Sequence, residues 1–380
     1  MKKQIQCIAL WLFCMFVMLS NITSAQSSDE MLNLMVGKGL ITAAEADSMR
    51  AEAAIKAQTN KEKQNVATFN ANRLLQFSGY IQMRYQFNQA KEVSDGIDIR
   101  RARLDIRGDV HARWEYRLQL DFAGSPKILD AYAVYKPFYF LKVQVGQFKI
   151  PMSPDNLVSS SKMEFIDRSQ ITEALVSRSR DVLGNHNGRD IGVMLSGNVM
   201  KYRDRYLVEY FVAGFNGQGV NTTDKNESKD FTGRLLVHPV KGFDIGAAYY
   251  SGYDYFIMKP DTGNFRRLRY SGEAAYTKGR LTLKGEFMSG DDGNIKRQGY
   301  FAQAGFFIWP KRIQLLARYD EFDPDIRKGK DISSWYVGGI NIFFNEYARL
   351  GINYILKNEE GGSEFKVKND LVSAQFQIGF

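Results

Sequence analysis

The chain is poor in the residues that build disulfides, thiolate metal sites and histidine-based active sites. Its 380 residues include only 2 cysteines, 8 prolines and 3 histidines. Both cysteines, Cys7 and Cys14, lie close to the amino terminus, so the rest of the chain excludes disulfides and thiol catalysis. His111, His186 and His238 have no Ser and acid at a suggestive spacing. We therefore expect no enzyme, no catalytic residue, no metal site and no cofactor.

The chain also lacks a long hydrophobic run after Gln26, which excludes a helical membrane protein. The one apolar run, from Ile8 to Leu19, is too short to span a bilayer. It follows two lysines and precedes Thr23-Ser24-Ala25, a small-residue cleavage pattern. Residues 1–25 are therefore predicted to be a secretory signal peptide.

Residues 26–75 have a composition that favours helix. Leu32, Met35 and Val36 recur at helical spacing, and Thr42-Ala43-Ala44-Glu45 forms a capping box. A polar linker follows from residue 65. We predict a short periplasmic helical or coiled-coil segment that leads into a second domain over residues 76–380.

From Phe77 the hydrophobic period changes from helical to strictly alternating, as in a half-exposed strand. Sixteen such segments follow, the last of which ends at Phe380. The connections alternate between short turns and longer loops, which is typical of a membrane barrel with short periplasmic turns. The longer loops are predicted at 88–96, 149–187, 216–229, 252–265, 290–297, 321–331 and 357–368.

Aromatic residues on the apolar parity recur near both ends of these strands, as expected for the two interfacial girdles of an outer-membrane barrel. The fold class is therefore predicted to be all-β, a 16-stranded antiparallel transmembrane β-barrel in the outer membrane of a Gram-negative bacterium. Side chains from sixteen strands do not fill the interior, so a water-filled channel is expected. The loop after the fifth strand is long enough to fold inward and constrict it.

The polar parity presents a basic but mixed wall, in a chain with 51 basic and 42 acidic residues. Arg stays charged and matches the geometry of phosphate and carboxylate, so the basic residues are candidates for anion binding. Pairing with wall carboxylates is the competing interpretation. The candidate pore-lining residues are Arg84, Arg101, Arg103, Arg107, Arg117, Lys142, Arg234, Arg267, Arg269, Lys284, Arg318 and Arg349, and those of the constriction loop are Lys162, Arg168, Arg178 and Arg180.

Several motifs resemble the phosphate-selective porins O and P of Gram-negative outer membranes. They are IRRARLDIRG (99–108), LQLDF (118–122), LDAYAVYKP (129–137), VQVGQFKIPMSPDNL (143–157), GRDIGVMLSG (188–197), the closing Phe380 and, near the amino terminus, LMVGKGLITAAEAD (34–47). The resemblance implies a homotrimer of sixteen-stranded barrels with inward-folded loops and a basic channel. Among the residues that bind phosphate in this family, the resemblance can be carried over only to the strand of Arg101 and Arg103.

The predicted function is a porin, a passive diffusion channel for small hydrophilic solutes that favours anions such as phosphate. The alternative is an envelope-tethering or structural protein with an incidental pore, in which the helices of residues 26–75 form the tether. The terminal Phe380 also resembles the signal read by the barrel-insertion machinery. The expected partners are outer-membrane lipid, small anions or other hydrophilic solutes, this machinery and two further copies of the chain. No nucleic acid is expected.

Overall fold

The computed structural model describes residues 35–38, 74–90, 94–182, 184–224, 227–258, 261–360 and 369–380. The predicted signal peptide lies outside these residues, as does most of the predicted helical segment. Met35–Gly37 are helical, so a small helical segment does stand near the amino terminus. The chain divides between Ala71 and Asn72 into two units, and the second contains the sixteen strands of the described residues. No helix of the described residues is long and apolar enough to cross a membrane.

The second unit is built from sixteen strands, as predicted. Their alternating side chains give each strand one apolar and one polar face, so that a closed sheet can present one face outward and the other to its interior. The strands are β1 (Gln76–Asn88), β2 (Gly96–His111), β3 (Trp114–Asp121), β4 (Lys127–Phe138), β5 (Leu141–Lys149), β6 (Arg189–Tyr202), β7 (Arg205–Phe215), β8 (Asp230–Val240), β9 (Phe243–Met258), β10 (Asp261–Lys278), β11 (Leu281–Asp292), β12 (Ile295–Trp309), β13 (Ile313–Asp323), β14 (Ser333–Phe343), β15 (Ala348–Glu359) and β16 (Leu371–Gly379).

Each strand pairs antiparallel with its sequence neighbours, and β1 pairs with β16 to close the barrel. At this seam the terminal Phe380 exchanges two backbone hydrogen bonds with Gly79, at 3.1 and 3.0 Å. A Cβ at position 79 would lie 2.5 Å from the Phe380 ring and 2.7 Å from the Arg103 carbonyl. Only glycine at this position lets the final aromatic ring lie flat against the seam.

The outer surface of the barrel is apolar and the interior is polar. Exposed rings recur at the outer ends of the strands, as with Phe87, Phe122 and Phe287, and at the periplasmic ends, as with Trp114 and Phe380. Buried polar and charged residues alternate with them and face inward. This inversion of the usual pattern of a globular protein is what a membrane-spanning barrel requires.

Two of the predicted longer loops are wrong. β11 and β12 are joined through Gly293 and Asn294 alone, with a left-handed φ of 63° at Gly293. β9 and β10 pair as far as Met258 and Asp261. Both hairpins extend the sheet at its outer end, because backbone pairing continues there beyond the stretch in which apolar and polar residues alternate in the sequence.

Candidate functional site

The long connection between β5 and β6 folds into the barrel. It contains two short helices, α1 (Pro154–Leu157) and α2 (Gln170–Leu175). Near its start, Ser153 donates a hydrogen bond to Glu286 on β11 at 2.7 Å. Its middle reaches the opposite wall, where the carbonyl of Ser160 accepts from Gln82 on β1 at 3.1 Å. The loop therefore spans the lumen and narrows it.

Apolar packing holds this loop against one side of the barrel. Ile171 and Leu175 of α2 are almost fully buried and pack with Met288, Phe301 and Phe322 of β11–β13. Gln170 adds hydrogen bonds to the carbonyl oxygens of Asp320 and Ser333, at 3.1 and 3.0 Å. Burial of this apolar cluster inside a polar lumen stabilises the inward-folded position of the loop.

Three of the candidate arginines lie on the wall of β8 and β10, beside this loop. Arg267 Nη2 lies 2.7 Å from Asp230, Arg269 Nη2 lies 2.5 Å from Asp292, and Arg234 pairs with Glu273. All three arginines are at least nine-tenths buried. Their charge is compensated, so they stabilise the wall behind the loop and offer little to a solute.

Three further candidates fasten the stretch of loop before α2. Lys284 pairs with Glu164 at 2.7 Å, and Arg318 and Arg349 donate to the loop carbonyls of Asp167 (3.1 Å) and Met163 (2.6 Å). Lys162, Glu164 and Lys284 line a cavity of about 230 Å³ between loop and wall. Lys142 lies near the periplasmic end of β5, opposite Ser196. None of these residues lines the polar cavity formed by the loop and strands β1–β3.

That cavity lies on the outer side of the loop and is called here the outer vestibule. Its volume is about 490 Å³, and its walls are β1–β3, the start of β4, the loop and the upper parts of β14–β16. Nine basic side chains and three carboxylates line it, a formal excess of six positive charges. The basic residues are Arg84, Arg100, Arg101, Arg103, Lys127, Arg168, Arg178, Arg180 and Lys357, and the acidic ones are Asp121, Asp167 and Glu173.

Carboxylates neutralise only a minority of the vestibule cations. Arg103 pairs with Asp121 at 2.8 Å, and Arg100 and Arg84 share Asp167. The other six have no carboxylate within ion-pair distance among the described residues. Their side chains contact amide oxygens, carbonyl oxygens or an aromatic ring, or make no hydrogen bond or ion pair with another described side chain. The six are Arg101, Lys127, Arg168, Arg178, Arg180 and Lys357.

A β-bulge brings two consecutive arginines to the vestibule. The register between β1 and β2 shifts between Gln82 and Met83, so Arg100 is the extra residue on β2. Arg100 turns to Asp167 of the loop, while Arg101 donates to Gln82 at 2.8 Å. Alternation along a regular strand assigns Arg100 to the lipid face, which is why sequence reasoning missed it.

The ionisable loop residues of the vestibule lie among many positively charged side chains. Burial alone would raise the pKa of the Asp167 carboxyl, but the charges of Arg100 and Arg84 hold it below its ordinary value. Burial lowers the pKa of Arg178, and the nearby charge of Arg168 lowers it further. Two loop guanidiniums that repel each other at the edge of a cavity favour a bound anion between them.

On the periplasmic side a second cavity, of about 310 Å³, contains Arg107 and Arg117. Arg117 makes a 2.5 Å contact with Asp105, so its charge is compensated, whereas Arg107 is half-exposed and lies 3.4 Å from the same carboxylate. Of the three candidate arginines on β2, Arg101 and Arg103 thus lie in the vestibule, whereas Arg107 lies in the periplasmic cavity.

Sequence reasoning also missed four contributors to this region. Lys127 and Lys357 belong to the vestibule, and Trp335 forms its apolar wall under Arg180, whose guanidinium carbon lies 4.6 Å from the ring centroid. Arg189, at the end of the loop, is buried against Asp130 at 2.7 Å. The sequence places Arg189 among the basic residues of the long connection and in the motif GRDIGVMLSG, but not among the candidate site residues.

Solved structures similar to this barrel include an outer-membrane protein, a porin and an outer-membrane channel. The chain superposes on OmpT of Vibrio cholerae, in its trimer form, with a TM-score of 0.59 at 13% identity over 80% of this chain and 99% of that one. An anion-selective porin from Comamonas acidovorans gives 0.59 at 12% identity over the same shares. The DcaP channel of Acinetobacter baumannii gives 0.53 at 14%, covering 80% and 97%. At these identities the likeness establishes the fold.

Sequence comparison adds the family. An uncharacterized protein of Aquifex aeolicus is 23% identical over 260 residues, which are 59% of this chain and 60% of that protein. The match therefore spans less than two thirds of that relative's length. The family described as phosphate-selective porin O and P matches residues 75–380, the whole barrel. The chain belongs to the phosphate-selective porin O and P family and is an outer-membrane porin of a Gram-negative bacterium.

Proposed function

We propose that this porin is a passive channel that favours anions, and that solutes are selected in the outer vestibule. The observation that carries this proposal is the set of six vestibule cations without a carboxylate partner. An excess of fixed positive charge around a narrow, low-dielectric opening raises the local anion concentration and repels cations. The paired arginines elsewhere in the lumen contribute little to this field.

Phosphate is the preferred solute under this proposal. A guanidinium matches two phosphate oxygens with two donors, and such charge-assisted hydrogen bonds are about twice as strong as neutral ones. Arg101, Arg168 and Arg178 keep their charge uncompensated at the vestibule wall. The family description and the anion-selective relative from Comamonas acidovorans support the same direction.

The chain is also proposed to form a homotrimer. OmpT of Vibrio cholerae, which shares the fold, has been solved in a trimer form. The terminal Phe380, paired with Gly79 at the seam, is proposed as the element that the barrel-insertion machinery recognises.

The test is the reversal potential of the purified protein in a planar bilayer under a KCl gradient, followed by titration with phosphate. We expect an anion-signed potential and block of chloride current by phosphate. Arg101→Gln should weaken the block about tenfold, since charged hydrogen bonds of this kind contribute roughly 1.5–3 kcal/mol. Arg107→Gln is the matched control on the same strand and should leave the block unchanged. A cation-signed potential in the wild type would refute the proposal.

A further inference from the structure

The outer surface of the barrel carries a groove across strands β10–β15, called here the acyl groove. Its volume is about 1010 Å³, and aromatic or aliphatic side chains bound it at both ends. The floor consists of alanine and glycine residues that lie side by side on five neighbouring strands. They are Ala274, Gly285, Ala302, Ala304, Ala317 and Gly338.

The register of the strands defines the direction of the groove. Ala304 pairs with Ala317, and Ala317 pairs with Gly338, so the floor runs along the hydrogen-bonding direction. Four inter-strand steps of about 4.8 Å give a length of roughly 19 Å. The floor also steps back by two residues on β12, from Ala302 to Ala304, so with strands tilted by about 40° it climbs roughly 7 Å across the ~25 Å apolar band. The groove thus has the length of a hydrocarbon chain and lies within one leaflet.

The lower end of the groove lies in the periplasmic leaflet. It is bounded by Phe243, which follows the turn after β8, and by Tyr276, which pairs with Phe243 near the end of β10. Aromatic rings at this height mark the boundary between hydrocarbon and headgroups. A headgroup whose chain fills the groove therefore lies against the periplasmic turns.

Those turns are basic. Five exposed cations belong to the turns that follow β8, β10 and β12, and the turns themselves contain no Asp or Glu. None of the five has a carboxylate within ion-pair distance in the described part of the chain. These residues, called here the basic rim, are Lys241, Lys278, Arg280, Lys311 and Arg312.

Other periplasmic turns differ from the basic rim. The turn after β6 places Asp204 beside Arg203, and the turn after β14 contains Glu346. The nearest acid to the rim, Asp244, bonds His238 at 2.6 Å. The basic rim therefore joins neighbouring turns that contain cations and no carboxylate, beside the lower end of the acyl groove.

We propose that the acyl groove and the basic rim together bind an anionic phospholipid of the periplasmic leaflet. One acyl chain lies on the small-residue floor, and the phosphate lies among Lys241, Lys278 and Arg280. Clustered Lys and Arg at a membrane surface attract anionic headgroups, and concave apolar surface buries more of a chain than a flat wall does. This site is on the outside of the barrel and is independent of the channel.

Native mass spectrometry of the full-length protein in detergent tests the proposal, after delipidation and addition of phosphatidylglycerol or phosphatidylethanolamine with identical chains. We expect the wild type to retain phosphatidylglycerol in preference to phosphatidylethanolamine. Lys278→Gln/Arg280→Gln should lower phosphatidylglycerol retention by about thirtyfold, as loss of two surface cations implies. Lys201→Gln/Arg203→Gln, at the turn after β6, is the matched control and should retain it as the wild type does.

A second variant tests the groove. A Cβ at Gly338 meets no heavy atom within 4 Å, so Gly338→Leu fills the floor without a clash. It should reduce the retention of both lipids, whereas Gly214→Leu, at an exposed glycine of β7 whose nearest neighbour is 4.0 Å away, should not. Wild-type conductance in each variant verifies the fold. Equal retention of the two lipids by the wild type, or a Gly338→Leu variant that changes only the oligomeric state, overturns the proposal.

Discussion

Arg101 and Arg103 project from the same face of β2, yet only Arg103 has a carboxylate partner. The Arg103 guanidinium lies 2.8 Å from Asp121, while Arg101 donates to the neutral amide of Gln82 at 2.8 Å. Arg103 is therefore tied to its neighbouring strand, and Arg101 keeps a charge that the protein does not neutralise. We therefore expect Arg103 to stabilise the fold and Arg101 to bind the solute.

The first prediction separates these tasks. Arg103→Gln leaves Asp121 buried without its cation, which should lower the free energy of unfolding by about 3 kcal/mol. Arg101→Gln breaks no ion pair and should change it by less than about 1 kcal/mol. Urea unfolding of both variants in lipid vesicles measures the difference. Equal destabilisation by the two substitutions would contradict the division of tasks.

The second prediction concerns α2 and the width of the channel. Leu175 is almost fully buried against the wall, and its truncation to alanine should cost about 2–5 kcal/mol of packing. Because the barrel closes without the loop, this loss should detach the loop and leave the sheet intact. We expect Leu175→Ala to raise single-channel conductance and current noise. Leu315→Ala, on the lipid face of β13, is the control and should leave both unchanged.

The strands follow from the sequence because alternation is a local property, but the vestibule does not. Arg267 and Arg269 do face inward, as alternation predicts, and yet the loop covers them and carboxylates neutralise them. A period of two does not show which inward residue another segment will cover. Arg100 shows the opposite failure, since one bulge moves it from the predicted lipid face to the vestibule. The site thus depends on long-range placement of the loop and on one local irregularity.

The third prediction is that the ion pairs of the loop residue Asp167 with the barrel wall persist at mildly acidic pH. Burial opposes ionisation of this carboxyl, but Arg100 and Arg84 keep its pKa below the ordinary value of about 3.9. A carboxyl whose pKa is depressed on folding stabilises the fold above the unfolded-state pKa and loses this contribution as pH falls through the folded value. Asp167 should therefore contribute no change in conductance or selectivity from about pH 7 to about pH 5. A transition within this range that Asp167→Asn abolishes would contradict the assignment.

The fourth prediction uses the same residue to change selectivity. Asp167→Asn removes one of three vestibule carboxylates and releases Arg100 from its partner, while Arg84 keeps its ion pair with Asp98 at 2.6 Å. The excess positive charge rises by one, so the reversal potential under a KCl gradient should become more anion-signed. Asp325→Asn, in the outer loop after β13, removes an equal charge outside the vestibule and should not shift the potential.

The fifth prediction is that Trp335 reports solute binding. Arg180 and Lys357 both stack on its ring, at 4.6 and 5.3 Å from the centroid, and its indole is nearly buried at the vestibule wall. A bound anion should draw these cations toward it and so change the electrostatic field at the indole. Phosphate should therefore change the fluorescence emission of Trp335, whereas the emission of Trp114 and Trp309, on the periplasmic girdle, should not change.

Trp335→Phe should abolish this emission change and keep most of the phosphate block, because a phenyl ring still supports Arg180. Trp335→Leu should weaken the block by about threefold or more, since a cation–π contact contributes at least roughly 0.5–1 kcal/mol. An emission change that survives Trp335→Phe would place the bound anion elsewhere in the channel.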